Sequence, residues 1–545
     1  MSILRSSLIM ASGTVMSRFL GILRAILLAA TIGVTTNAAD AFGVANQLPN
    51  NVYAIIVGGV LNAVLVPQIV RARTHLDGGN AYIDRLLTIA IVTFGSITVL
   101  TTVSAPLLVS LYTSGWDTDQ LALATAFAYW CLPQLFFYGL YSLLGEVLNA
   151  KSKFGPYMWA PVLNNIVAII GMAAFVWQFG FDPTGQQSVA DWTQQQISWL
   201  AGSATLGVAS QALILLVFWK KMGLVFKFNF SWRGVGLGPA MKAASWTLGM
   251  LIVTQIGGIV QTAVASSSIQ GRAQLVDSNV AIASVAAMSI AWLIFMLPHS
   301  VATVSIATAY FTRMSEHAMD KNFDELKKDL VEGLRTIAMI SVLATTALIV
   351  LAYPVSRVFV GELPGAIALG NVVMAMVVGL LPFSFVFMIQ RAFYALEDTR
   401  TPFIFTLVQV LVNIAGSVLV WLYVEDIWLV VGLSLVTSAS ILIQSGLSFA
   451  LFRRKYGALG QGGLALATTK FIGAALLAGG VGYWMLQAMG GTRSGAFAVD
   501  SVLSSVVSCV TIGMVISLVY ILVLKLLRVK EVDILLAPVV RLLRR

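Results

Sequence analysis

The feature that most constrains this chain is a succession of apolar runs, each longer than 20 residues, that fills nearly its whole length. A run of that length crosses the roughly 30 Å hydrocarbon core of a bilayer as an α-helix. Lipid offers no water to backbone N–H and C=O groups, so only helices or a closed barrel can span it, and a barrel strand needs only about 9–11 residues. The expected fold class is therefore all-α, a polytopic membrane protein. Only 10% of the residues are charged and 58% are hydrophobic, where a soluble domain has about a quarter charged. A water-soluble enzyme is excluded.

Cutting the chain at charged or Gly/Pro/Asn-rich breaks gives fourteen segments, near 9–33, 41–68, 83–112, 120–149, 157–178, 196–219, 239–266, 279–311, 330–360, 365–395, 402–424, 427–451, 465–488 and 501–526. Alternate loops, starting with the N-terminus, hold 28 Lys/Arg and 13 Asp/Glu, whereas the other loops hold 3 and 10. Basic residues favour the cytoplasmic side. The expectation is a multi-pass protein with both termini in the cytoplasm.

The net charge of +10 and pI near 9.6 therefore reflect orientation and do not call for a nucleic-acid partner. Cys131 and Cys509 lie far apart in apolar segments, which excludes a disulfide framework and a paired-cysteine metal site; both read as core residues. With three histidines and no HExxH or GxxxxGK[ST], neither metal-dependent nor ATP hydrolysis has its equipment. No cofactor or metal is expected. Arg18 and Arg24 interrupt what would be the apolar region of a cleavable signal.

At an offset of 237 residues the first and seventh segments superimpose: Ser17 falls on Thr254, Arg18 on Gln255, Gly21 on Gly258 and Arg24 on Gln261. Leu48-Pro49 matches Leu297-Pro298, and the turn from Ala150 to Pro156 resembles that from Ala395 to Pro402. Two parallel six-helix repeats follow, because an even number of crossings brings both in from the same side. The expected organisation is a first lobe at 1–235, a second at 236–455, and two further helices with a basic amphipathic tail at 456–545. The end of that tail, from Lys525 onward, alternates Leu and Val with Lys/Arg as an interfacial helix on anionic lipid would.

Arg18 and Arg24 are the residues most suggestive of function. At about 1.5 Å per residue they lie roughly 13 and 22 Å into a helix that starts near residue 9. An arginine at such depth costs at least ~2.5 kcal/mol, so it normally faces a polar cavity. Six residues apart, the two point about 120° away from each other; Ser17, Gly21 and Arg24 share one face. A guanidinium fork matches phosphate oxygens. Asn46, Gln47, Asn50, Asn51, Asn62, Gln255, Gln261 and His299 are available polar neighbours. Buried amides also simply join helices, and His299 beside Pro298 reads equally as a packed helix-break residue. Asp40, opening the second segment, suits the positive end of a helix dipole, and Pro49 and Pro298 are candidate gating or cavity positions. Segments seven, eleven and twelve contain no Asp or Glu. Without a carboxylate there to bind sodium, the membrane potential is the expected energy source.

Ser17-Arg18-Phe19-Leu20-Gly21 with Arg24, Ala39-Asp40-Ala41-Phe42 leading to Leu48-Pro49-Asn50, Val66-Pro67, and the stretch Gln390-Arg391-Ala392-Phe393-Tyr394-Ala395-Leu396-Glu397-Asp398-Thr399-Arg400-Thr401-Pro402 together resemble the MurJ (MviN) lipid II flippases of the MOP exporter superfamily. The resemblance covers essentially the whole chain. It implies fourteen helices and two lobes around a cationic cavity. It also implies a groove lined by the last two helices for a polyprenyl tail, and alternating access without bond chemistry. By that resemblance Arg18 and Arg24 would hold the pyrophosphate of lipid II, with Ser17, Asn50, Gln255 and Gln261 donating hydrogen bonds. Membrane lipids and proteins of cell-wall synthesis and division would be its partners. Two family arginines are missing here: the stretch after Asn50 reads Asn51-Val52-Tyr53-Ala54, and Trp292 to Met296 precede Pro298 without one. Alternatives are a flippase for another polyprenyl-diphosphate-linked glycan, or a cation-coupled drug exporter of the MATE type.

Overall fold

The computed structural model describes residues 3–57, 80–150, 154–221, 226–231, 237–274, 280–459 and 462–533. Among the described residues all regular structure is helical. Eleven helices are long and apolar enough to cross a membrane, or thirteen spans when each of two bent pairs is counted as one. Thirteen of the fourteen segments are thereby accounted for; the second opens with the helix Asn37–Ile56, and its remainder lies outside the described residues. Asn62, Val66-Pro67, Lys151, Lys153 and the tail beyond residue 533 also lie outside them. The protein crosses the membrane many times. It forms two compact units, Met1–Gln270 and Gly271–Arg545.

The first unit contains α1 (Ile3–Ile32), α2 (Asn37–Ile56), α3 (Asn80–Val103), α4 (Ala105–Tyr112), α5 (Thr118–Cys131), α6 (Gln134–Ala150), α7 (Phe154–Phe179), α8 (Gln194–Lys221) and α9 (Leu237–Ser267). Local chemistry sets several of these boundaries. Thr36, in extended backbone, accepts a hydrogen bond from the Ala39 N–H at 3.1 Å and starts α2. Asp117 does the same for α5 through the Gln120 N–H at 2.7 Å. The third segment breaks at Ser104, where α3 and α4 meet at 72°; Pro106 in the first turn of α4 cannot donate to a continuous ladder. The core of this unit joins α3, α6 and α8 through Leu87, Phe94, Leu135, Leu143, Val147 and Leu215. α7 lies between α1 and α8.

The compact units divide one helix later than the sequence repeat. α9, the seventh segment, packs on α2 and α4. Its end is fixed there: Ser266 Oγ accepts from the Ser114 N–H at 2.7 Å, and its carbonyl accepts from Trp116 Nε1 at 3.0 Å.

The second unit contains α10 (Val285–Pro298), α11 (Val304–Met319), α12 (Phe323–Val350), α13 (Ala352–Phe359), α14 (Leu363–Val377), α15 (Leu380–Ala395), α16 (Arg400–Tyr423), α17 (Asp426–Tyr456), α18 (Gly462–Ala488) and α19 (Val502–Leu526). α12 is its axis. Leu330 and Leu334 pack with Phe393, Phe405 and Phe452, while Met339 and Val342 pack with Phe471, Ile516 and Tyr520 of the two helices that lie outside the repeat. Tyr520 also donates its hydroxyl to the Met339 carbonyl at 2.9 Å.

α15 ends in a left-handed cap. Glu397 has φ of 57°, its N–H bonds the Tyr394 carbonyl at 3.1 Å, and the Asp398 N–H bonds that of Phe393 at 2.9 Å, the paired bonds of a Schellman motif. Asp398 then starts α16 by accepting from the Thr401 N–H at 3.0 Å and hydroxyl at 2.7 Å, while Lys455 Nζ donates to the same carboxylate at 2.7 Å. Burial alone would raise this carboxyl. The bonds from Lys455 and Thr401 overcome that and hold it below the ordinary aspartate value. The stretch Gln390–Pro402 thus has a structural role, joining three helices at one turn.

Candidate functional site

α1 is continuous through Gly21. Asn165 of α7 donates from Nδ2 to the Ser17 carbonyl at 2.9 Å and to its hydroxyl oxygen at 3.4 Å, and a Cβ on Gly21 would meet the same Nδ2 at 3.9 Å. Ser17 and Gly21 therefore form the face turned to α7. Arg18 is exposed, whereas Arg24 is half-buried, in keeping with side chains about 120° apart.

Arg24 is the unusual group. Among the described residues its guanidinium makes no hydrogen bond and no ion pair, and the titratable groups within its electrostatic reach are Cys131 and Tyr138, neither of which is an anion at neutral pH. Around those two lies a polar network. Gln134, 1% exposed, donates from Nε2 to Thr205 Oγ1 at 3.0 Å and to Asn46 Oδ1 at 3.4 Å, and accepts from the Tyr138 hydroxyl at 3.2 Å. The Tyr138 ring lies 5.3 Å from that of Tyr53, whose hydroxyl pairs with Ser142. A positive charge thus sits in an apolar helix among amides and phenols, with no carboxylate among the described residues to neutralise it. An anionic ligand would supply what is lacking.

Asn50 is exposed, directly after the buried Pro49 inside α2. Asn51 donates to the Tyr112 hydroxyl at 3.2 Å, and Gln47 reaches Thr262 of α9 at 3.5 Å, one residue from Gln261. Gln255 and Gln261 are half-buried on α9, within the same unit as Arg24. Asp40 is fully buried in the first turn of α2. Pro298 and His299 belong to the second unit. His299 is 2% exposed, with Nδ1 3.2 Å from Ser384 Oγ and its ring 4.6 Å from that of Phe383. It is a packed residue at the π-turn His299–Thr303 that follows α10. Cys131 is buried, as expected of a core residue, and Cys509 is half-buried.

The sequence reading missed Gln134 and Tyr138. Their spacing of four places both on one face of α6, and that spacing was the available signal.

The second unit carries an apolar groove of about 690 Å³ lined by Val342, Thr346, Leu381, Leu442, Ile472 and Leu476, among others. These belong to α12, α15, α17 and α18. α19 packs on α18, so of the last two helices only the first contributes to the groove lining. The hydroxyls of Thr345, Thr346 and Ser438 in the lining all donate to backbone carbonyls. The groove consequently presents hydrocarbon.

In a protein of many spans, a half-buried cation inside a membrane helix marks a functional site, as in transporters. In fold the chain is similar to a solved lipid II flippase MurJ in an inward closed conformation, with a TM-score of 0.69 at 20% identity over 94% of this chain and 98% of that one. It is also similar to an inward-facing MATE-family multidrug transporter of the MOP superfamily, at 0.64 and 16% identity over 82% and 96%. The profile of the family described as lipid II flippase MurJ matches residues 28–503, and the chain belongs to that family. Among its relatives are the probable lipid II flippases MurJ of Haemophilus influenzae, 26% identical over 71% of this chain and 75% of the relative, and of Vibrio cholerae, 25% identical over 89% and 90%.

Proposed function

We propose that this chain is a transporter and makes or breaks no bond: it carries lipid II, a polyprenyl diphosphate bearing a disaccharide-peptide, from the cytoplasmic to the outer leaflet. The observation that carries this reading is Arg24, a half-buried guanidinium in a membrane-spanning helix without a hydrogen bond or ion pair among the described residues. Its fork fits the diphosphate, with Arg18, Ser17, Asn50, Gln255 and Gln261 as further donors around the headgroup. The apolar groove of the second unit takes part of the polyprenyl chain. The 28-to-3 division of basic residues between loops supports cytoplasmic termini in the inner membrane, and the membrane potential drives turnover. Cell-wall synthesis and division proteins are the partners this activity calls for.

The test is flipping of labelled lipid II by purified protein in vesicles, with other polyprenyl-diphosphate glycans in parallel to define the headgroup. Arg24→Ala should abolish flipping while leaving folded protein in the membrane, since no carboxylate among the described residues loses its partner. Arg24→Lys should restore only part of the rate, because a point charge cannot make the two parallel bonds of a guanidinium. Wild-type flipping by Arg24→Ala would remove the diphosphate assignment.

A further inference from the structure

Arg391 stands on α15 four residues before that helix ends, about 6 Å in along its axis. Its guanidinium carbon lies 4.9 Å from the ring centre of Phe387 and 5.6 Å from that of Phe311 on α11. The side chain is half-buried, and among the described residues it makes no hydrogen bond and no ion pair. Aromatic faces hold a cation through its charge, which leaves the N–H donors of the fork available. Tyr394, one turn on, lies within the electrostatic reach of Arg391. Its hydroxyl accepts from Gln390 Nε2 at 2.7 Å, so its own proton is left to donate.

We propose that Arg391, held between Phe387 and Phe311 and with Tyr394 one turn on, is a second anion-binding site, carried by the second unit, whose ligand is a phosphate group. No acidic side chain among the described residues pairs with this guanidinium, and its planar fork matches phosphate oxygens better than any other side chain does. The phosphate is either that of a bilayer headgroup or the diphosphate of the cargo; in the second case the site rests on the function proposed above.

Titration of the purified full-length protein with inorganic pyrophosphate, followed calorimetrically, tests the site. Two classes of binding are expected, one lost in Arg24→Ala and the other in Arg391→Gln. Arg391→Lys should weaken the second class about tenfold, and Phe387→Leu should weaken it while helix content and thermal midpoint stay unchanged, which separates loss of the site from misfolding. The same titration in nanodiscs distinguishes the sources. If phosphatidylglycerol suppresses the second class relative to phosphatidylcholine, the headgroup is the occupant; equal binding in both assigns the site to the cargo. Should Arg391→Gln and Arg391→Lys leave both classes intact in detergent and in both bilayers, the second site is overturned and the role of Arg24 stands. Loss of the second class alone, with Arg24→Ala without effect on any binding or on flipping, would sustain Arg391 and remove the function proposed for Arg24.

Discussion

At the scale of single residues, the contrast between Arg24 and Asp398 shows what an ion does when the protein supplies its partners and when it does not. Asp398 has all of its partners: two groups of Thr401 and the Lys455 ammonium. Its folded-state ionisation lies below the unfolded value of about 3.9. The stabilisation is therefore fully present above that unfolded value and is lost as pH falls through the lower folded one. Asp398→Asn should lower the stability of the purified protein at pH 7 by about 1 kcal/mol, a typical value for a helix cap. Thermal melts in detergent should show the gap to wild type closing only below about pH 4, and a gap that stays constant down to pH 3 would disprove the ionic contribution. Both residues stood out in the sequence, Arg24 by its depth and Asp398 within a family stretch. Their roles did not: a sequence shows that a charge is present, while the presence of a counter-charge depends on helices 57 residues away in the chain, as for Lys455, or further.

At the scale of elements, helix number was legible because each span must carry its own apolar length, a local property. Breaks within spans were less so. The 72° bend between α3 and α4 has a local signal in Pro106, and the 43° bend between α14 and α15 falls at Gly379, where Ser438 of α17 is so close that a Cβ would meet its Oγ at 3.0 Å. That approach is tertiary and invisible in one sequence. The same kind of contact sets the crossing of α7 and α8: a Cβ on Gly171 would lie 2.2 Å from the Ser203 Cβ, and one on Gly207 would lie 2.8 Å from the Asn164 carbonyl oxygen. Small residues at such crossings let two backbones approach in lipid. Gly171→Val and Gly207→Val should each destabilise the protein by about 1–3 kcal/mol, whereas Gly258→Ala on α9, with nothing within 4 Å of the added methyl, should leave the melting temperature unchanged. Equal melting temperatures for all three variants would contradict the close crossing.

At the scale of the whole molecule, the proposed orientation rests on the uneven loop charges. Of the three basic residues in the sparse set of loops, Arg357 gives its guanidinium to the carbonyls of Val360, Gly361, Val499 and Asp500, and Arg272 donates to that of Ile282. Both serve as local braces. In a chain lacking Cys131 and Cys509, single cysteines at Asp191 and Arg493 should react with an impermeant thiol reagent in intact cells, and one at Lys327 should not; labelling at Lys327 alone would invert the topology. Moving one elementary charge through 100 mV is worth about 2.3 kcal/mol, so a cavity that is cationic when empty and neutralised when loaded is reset by an interior-negative potential. Dissipating the potential should stop transport in vesicles, and removing sodium at constant potential should leave it nearly unchanged. Transport that persists at zero potential and halts without sodium would replace this mechanism with a cation-coupled one.

The groove of the second unit has one consequence for how a long chain travels. Its hydroxyls are all turned to backbone carbonyls, so an occupant meets only dispersion contacts, each on the order of 0.1–0.2 kcal/mol. Such a wall has no registry. A polyprenyl chain lying there, as proposed above, would have no preferred stopping point and could advance by any fraction of an isoprene unit, because every displacement would exchange one set of weak contacts for an equivalent set. Selection would then be by girth alone, which would leave the charged end of the molecule to decide when the journey begins and ends.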